Sequence, residues 1–169
     1  MTMSVGYNIS MIIHPIPPVY DKDSRVLILG SFPSFKSRET GFFYGHPQNR
    51  FWKVTSAVYG EAVPVTVPEK KAFLMRNHVA LWDVIGSCDI EGSSDSSIRN
   101  VTPNDLREII DRAGIRQIFV NGQTAYKYYR KYSEQETGRE AVCLPSTSPA
   151  NAAWSVGRLT EAWSCIKGE

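Results

Sequence analysis

Four short apolar runs, each followed by a polar loop, limit the fold of this chain more than any other feature. They are Arg25–Gly30 (RVLILG), Val79–Asp83 (VALWD), Gln117–Val120 (QIFV) and Ala141–Leu144 (AVCL). Short apolar runs bounded by turn residues read as buried strands. Helical patterns lie among them. Phe51, Trp52, Val58 and Tyr59 share one face of a helix predicted over Asn49–Tyr59, with Thr55 between them. Pro68 starts a second helix running to Asn77, because proline is tolerated in the first turn. Thr102 is the expected cap of a third, begun by Pro103, turned inward on Leu106, Ile109, Ile110 and Ala113, and stopped by Gly114. Gln123–Lys131 and Ser155–Lys167 complete the set, the last with Val156, Leu159, Trp163 and Ile166 facing inward. Strands separated by helices predict an α/β domain with a mostly parallel sheet.

A parallel sheet gathers its strand ends along one edge, which is where open α/β sheets bind ligands. The loops that would meet there are Gly30-Ser31, Asp83, Asn121-Gly122 and Ser146-Thr147-Ser148. The richest segment is Leu27–Lys53. It leaves its strand through Gly-Ser-Phe-Pro-Ser, crosses a polar, aromatic loop and enters a helix near Asn49.

A length of 169 residues suits one domain with one core. A hydrophobic content of 42% with 21% charged residues reads as globular. The net charge of +2 neither demands nor excludes a nucleic acid, since a local basic patch suffices. Cys88, Cys143 and Cys165 are far apart and odd in number, which suits reduced thiols in the cytoplasm. They form no Cys-x-x-Cys pair for zinc or an iron–sulfur cluster, so no metal or other cofactor is expected. The first 20 residues lack the apolar run of a signal peptide or membrane span. Pro15, Pro17 and Pro18 make residues 1–24 an extended lead-in to a domain over residues 25–169.

Gly30-Ser31-Phe32-Pro33-Ser34, followed by Tyr44-Gly45-His46-Pro47-Gln48-Asn49-Arg50-Phe51-Trp52, resembles the first motif of the hypoxanthine-DNA glycosylases. These are the sixth family of the uracil-DNA glycosylase superfamily. Leu144-Pro145-Ser146-Thr147-Ser148-Pro149-Ala150-Asn151 resembles their C-terminal loop. Leu81-Trp82-Asp83-Val84-Ile85 and Phe119-Val120-Asn121-Gly122 lie where the superfamily has its second and third strand-end motifs. The resemblance covers residues 25–167. It implies a three-layer αβα domain around a four-stranded sheet. It also implies a monofunctional enzyme of base-excision repair, acting as a monomer on DNA containing deaminated bases. Hypoxanthine is the leading base, with uracil and xanthine as further substrates. The target nucleotide would be flipped from the duplex, because its reacting bond is out of reach while stacked. Water would then attack the anomeric carbon through an oxocarbenium-like state.

Under this resemblance Asn49 and His46 are the candidate catalytic residues. Asn49 can position water but is no base, and asparagine at a helix start also reads as a plain cap. Phe32 stands where many superfamily members carry Asp or Asn, which moves the catalytic assignment to Asn49. His46 is a donor to base, sugar or phosphate, or a structural loop histidine. Phe32, Phe43 and Tyr44 are candidates to stack on the base, whereas Phe42 reads as core. Asp83 either reads the base edge or closes a turn, and Asn121 either contacts the base or belongs to an Asn-Gly turn. Ser34, Ser97, Arg99, Ser146, Thr147, Ser148 and Asn151 are candidates for the DNA backbone. The wedge that would enter the minor groove is left open among Ala150, Asn151 and Ala152. Gly92–Asn100 reads as a polar loop, and Lys36, Arg38, Arg50 and Lys53 as a local positive field.

Two other classes compete. A nucleotide hydrolase would need a glycine-rich phosphate loop or an elbow nucleophile. Neither Gly-x-x-x-x-Gly-Lys-Ser/Thr nor Gly-x-Ser-x-Gly occurs. A binding-only module would keep the loops without the water-positioning group. No lysine is placed as a Schiff-base nucleophile, so strand cleavage is not expected.

Overall fold

The computed structural model describes residues 11–168. Chain order begins with β1 (Ile12–Ile13) and β2 (Val26–Gly30), then α1 (Phe35–Thr40), α2 (Phe51–Tyr59) and α3 (Val67–Arg76). It continues through β3 (Val79–Asp83), β4 (Ile85–Asp89), β5 (Arg99–Pro103), α4 (Arg107–Arg112) and β6 (Gln117–Asn121). Last come α5 (Gln123–Tyr128), a π-helical stretch Tyr129–Ser133, α6 (Glu134–Thr137), β7 (Ala141–Leu144) and α7 (Val156–Trp163), which tightens into a 3-10 turn at Ser164–Lys167. The main sheet has the order β3-β2-β6-β7, and every pair in it is parallel. The four apolar runs are thus its four strands, and the predicted α/β class holds.

Alternation along β2 shows how the layers form. Leu27 and Leu29 pack with Ile109, Ala125 and Tyr129 on one face. Ile28 packs with Phe51, Trp52, Phe73 and Trp163 on the other. Successive strand residues point to opposite faces, so a run apolar at every position demands a cover on both sides. α3 starts where Thr66 and Glu69 form a reciprocal cap, one residue before the expected Pro68.

A second, antiparallel sheet in the order β1-β4-β5 was not foreseen. The helix expected from Thr102 and Pro103 does not begin there. Thr102 and Pro103 lie in β5, where they pair with Ser87 and Ile85. Asn104 then donates to the Asp83 and Ile85 carbonyls, and the helix starts only after Leu106. Tertiary pairing overrides the local capping signal here. The polar Gly92–Asn100 segment holds a 3-10 turn at Asp95–Ser97 and the first residues of β5. Val156, expected inward on α7, is 37% exposed.

Of the lead-in, residues 11–24 are packed onto the domain, and residues 1–10 lie outside the described residues. β1 pairs with β4, Val19 bridges to Leu81, and Ile16 joins the core. At the strand ends, the Val84 and Ile85 amides donate to the Gly30 and Ser31 carbonyls at 2.8 and 3.0 Å. Those two bonds fix the first turn against the start of the second sheet. No helix among the described residues is long and apolar enough to cross a membrane.

Candidate active site

A cavity of about 370 Å³ opens at the carboxyl edge of the main sheet. All four strand-end loops line it, through Gly30-Ser31, Asp83, Asn121 and Ser146-Thr147-Ser148. Most of the residues expected at the site meet in this wall: Phe32, Ser34, Phe43, Tyr44, His46 and Asn49, besides those loops. Ser97, Arg99 and Asn151 are not in the lining. The Ser97 hydroxyl is held inside its own loop by Ser94 and Glu91, Arg99 opens β5 in the open, and the Asn151 amide donates to the Ser146 carbonyl.

Asn49, Thr147 and Asn121 form one hydrogen-bonded chain. Asn121 Nδ2 donates to Thr147 Oγ1 at 3.0 Å, and Thr147 Oγ1 donates to Asn49 Oδ1 at 2.9 Å. Asn49 Oδ1 also accepts the Phe51 backbone N–H at 2.9 Å, and Asn121 Oδ1 accepts the Thr147 N–H at 3.1 Å. The bond from Phe51, which can only donate, sets the orientation of the Asn49 amide. Both lone pairs of its carbonyl oxygen are occupied, so the group it has left to offer is its NH2. Asn49 thus stands one residue before the N-cap position Arg50, satisfies the first helical N–H, and lines the cavity as well. Thr147 is fully buried, so its side chain serves this relay and not a phosphate. Ser146 and Ser148 accept the Ser148 and Ala150 amides, which leaves each hydroxyl hydrogen free to donate.

His46 Nδ1 accepts the Gln48 N–H at 3.0 Å, so the neutral ring carries its proton on Nε2. Phe42 and Phe43 are 4% and 2% exposed and belong to the core, Phe43 reaching the cavity from beneath. The Tyr44 ring stacks on Phe51 at 4.1 Å, so one of its faces is already covered. Phe32 lines the cavity as a buried side chain 9% exposed, with the Arg38 guanidinium 5.7 Å from its centroid.

The basic residues near the first motif are largely structural. Arg38 donates to the Pro33 carbonyl at 3.2 Å and to the Gly92 carbonyl. Arg50 donates to the carbonyls of Thr147, Ser148, Asn151 and Trp154. Lys36 pairs with Glu39 at the surface. Their charge adds to the local field, but the two arginines spend their donors on neighbouring loops.

Sequence reasoning missed two acidic-site features. His14, from the lead-in, donates to Asp83 at 2.7 Å. Asp95 lines the cavity, where partial removal of its carboxyl from water pushes it above the usual range, opposed by the Thr124 and Ser31 hydroxyls. No local pattern marked either residue. Gly30 has a clear reason to be glycine. A Cβ there would lie 2.5 Å from Asp83 Oδ1 and 3.1 Å from the Tyr44 hydroxyl oxygen. Gly30→Ala is expected to cost about 1–3 kcal/mol of stability and to displace Asp83. Thermal denaturation at the wild-type midpoint would show that the space is not this tight.

Comparisons with known proteins agree on one superfamily. The family model of the uracil DNA glycosylase superfamily matches residues 17–167. A hypoxanthine DNA glycosylase of Methanosarcina acetivorans is 36% identical over 160 residues, covering 92% of this chain and 98% of that protein. A hypoxanthine DNA glycosylase of Methanosarcina barkeri is 32% identical over 137 residues, covering 80% and 85%. The solution NMR structure of a Methanosarcina acetivorans protein superposes with a TM-score of 0.78 at 33% identity, covering 92% of this chain and 97% of that one. With its four strand-end loops converging on one cavity, the chain belongs to the uracil DNA glycosylase superfamily.

Proposed function

We propose that this protein is a monofunctional DNA glycosylase that hydrolyses the N-glycosidic bond of deaminated bases, hypoxanthine first. The observation that carries the reading is the cavity at the sheet edge, whose volume suits one flipped base and whose wall joins Asn49, His46, Phe32 and Asp83. Asn49 offers its amide hydrogens to the attacking water and holds it near the anomeric carbon. His46 offers an N–H to the departing base or to the sugar. Phe32 stacks on the base, with Phe43 beneath the cavity. Ser34, Ser146 and Ser148 take the flanking phosphates.

No lysine lines the cavity among the described residues, which supports attack by water over a Schiff base. The unbridged thiols Cys88, Cys143 and Cys165 support a reducing, cytoplasmic setting. The protein is tested on a duplex carrying one deoxyinosine, followed by chromatography of the released base and alkaline cleavage at the abasic site. Free hypoxanthine with no strand break before alkali is the expected result. A shifted duplex with its base still attached would instead indicate a binding module. Cleavage of free nucleotide alone would indicate a nucleotide hydrolase. Matched duplexes with uracil or xanthine rank the substrates.

A further inference from the structure

The cavity floor contains polar groups that bond hydrolysis alone does not require. His14 Nδ1 accepts the Ile16 backbone N–H at 3.1 Å, so the proton of the neutral ring sits on Nε2. That proton is donated to Asp83 Oδ2 at 2.7 Å, between side chains only 3% and 4% exposed. One carboxylate oxygen is thereby tied down, while Oδ1 lies against Gly30 beside the cavity. The Tyr44 hydroxyl is buried near the same point with the Asn121 side chain beside it, and its hydrogen has no acceptor in hydrogen-bond geometry among the described residues. The Tyr44 backbone is also left-handed, at φ 54°, a conformation that an aromatic residue adopts only under constraint. Burial and the adjacent Asp83 charge push its phenol up, against a smaller opposing pull from the Asn121 side chain, so it stays protonated as a donor. A buried hydroxyl without an acceptor is costly, and a ligand carrying an acceptor would relieve it.

Where Asp83 reads the base edge, as the resemblance implies, we propose that the Tyr44 hydroxyl is the donor set beside its Oδ1, so that the two match the lactam edge created by deamination, and that His14 is the positioning residue that holds Asp83 for it. This rests on the glycosylase reading above. Hypoxanthine, xanthine and uracil each present a ring N–H beside a carbonyl, which matches the pair. Adenine and cytosine present a ring nitrogen lone pair beside an amino group. The carboxylate then faces a lone pair and the hydroxyl faces an N–H, so the same two groups reject the undamaged base.

The test compares release of hypoxanthine with release of unsubstituted purine, which lacks both the N–H and the carbonyl, from otherwise identical duplexes. Wild type should release hypoxanthine in large excess. Tyr44→Phe should cut that excess about tenfold to a hundredfold, with an equal or higher melting temperature because an unpartnered hydroxyl has gone. His14→Ala should cut it similarly. His14→Gln, whose amide can still donate to Asp83, should restore part of it. A purely structural His14 would lower the melting temperature without moving the ratio of the two substrates. A Tyr44→Phe protein that keeps the full excess, or slows both substrates equally, overturns the pair. Wild type inert on every deaminated base would remove the glycosylase reading and this one together. Active wild type with unmoved ratios in the variants would remove only this one.

Discussion

Asn49→Ala is expected to slow release of hypoxanthine from a deoxyinosine duplex by about 10²-fold, the scale set by misplacing a reacting group by about an ångström. The amide hydrogens at Asn49 are the only part of its side chain not claimed by Phe51 and Thr147. Removing them takes away the group proposed to hold the water, and leaves the Phe51 N–H and the Thr147 hydroxyl without their acceptor. The second effect costs about 1–3 kcal/mol of stability, so the rate is read well below the melting temperature. Binding to the same duplex is measured alongside by fluorescence anisotropy. Chemistry should fall far more than affinity, because a water-holding group acts on the transition state and not on the phosphates. Base release at the wild-type rate in Asn49→Ala would end its assignment as a catalytic residue.

Arg50→Ala is expected to produce the largest loss of stability, about 2–4 kcal/mol, which in a chain of this size lowers the melting temperature by roughly 5–15 °C. The guanidinium fork reaches the Ser148 carbonyl at 2.8 Å, Asn151 at 3.1 Å and Thr147 at 3.4 Å, and the Trp154 carbonyl as well. The Arg50 backbone N–H adds a bond to Thr147 at 3.1 Å. One side chain thus holds the whole loop that carries Ser146, Thr147 and Ser148 against the start of α2. Lysine should recover less than half of the loss, because an ammonium cannot span several carbonyls in one plane. Scanning calorimetry and limited proteolysis of residues 146–154 check both variants. An unchanged melting temperature in Arg50→Ala would show that the loop holds itself without the clamp.

Much of this could be read along the chain. The main strands were visible because each has an apolar centre and runs into a polar turn. Parallel pairing then left one edge for those turns, so the meeting of Gly30, Asp83, Asn121 and Ser146 followed. The motif resemblance added Asn49 and His46, and both line the cavity. The second sheet was not visible. IGSCD and RNVTP are mixed in polarity, and β1 is two residues long, so only pairing among the three makes them strands. α1 was missed for a similar reason, since FKSRET carries no apolar period and depends on the Ser34 cap.

The use of each polar atom lay outside the reach of local pattern. Asn121 and Thr147 stand 26 residues apart, Asn49 and Thr147 98 apart, and His14 and Asp83 69 apart. A side chain in sequence carries all its donors and acceptors unspent, and folding spends them. Arg50 read as charge for DNA and became a clamp on carbonyls, while Thr147 read as a phosphate contact and became a buried relay. By itself the sequence determined which loops share an edge, because strand length, alternation and parallel pairing permit one arrangement. Only the tertiary structure decided which atoms at that edge remain free for a ligand, because hydrogen bonds are allotted by proximity in space among residues that the chain keeps far apart.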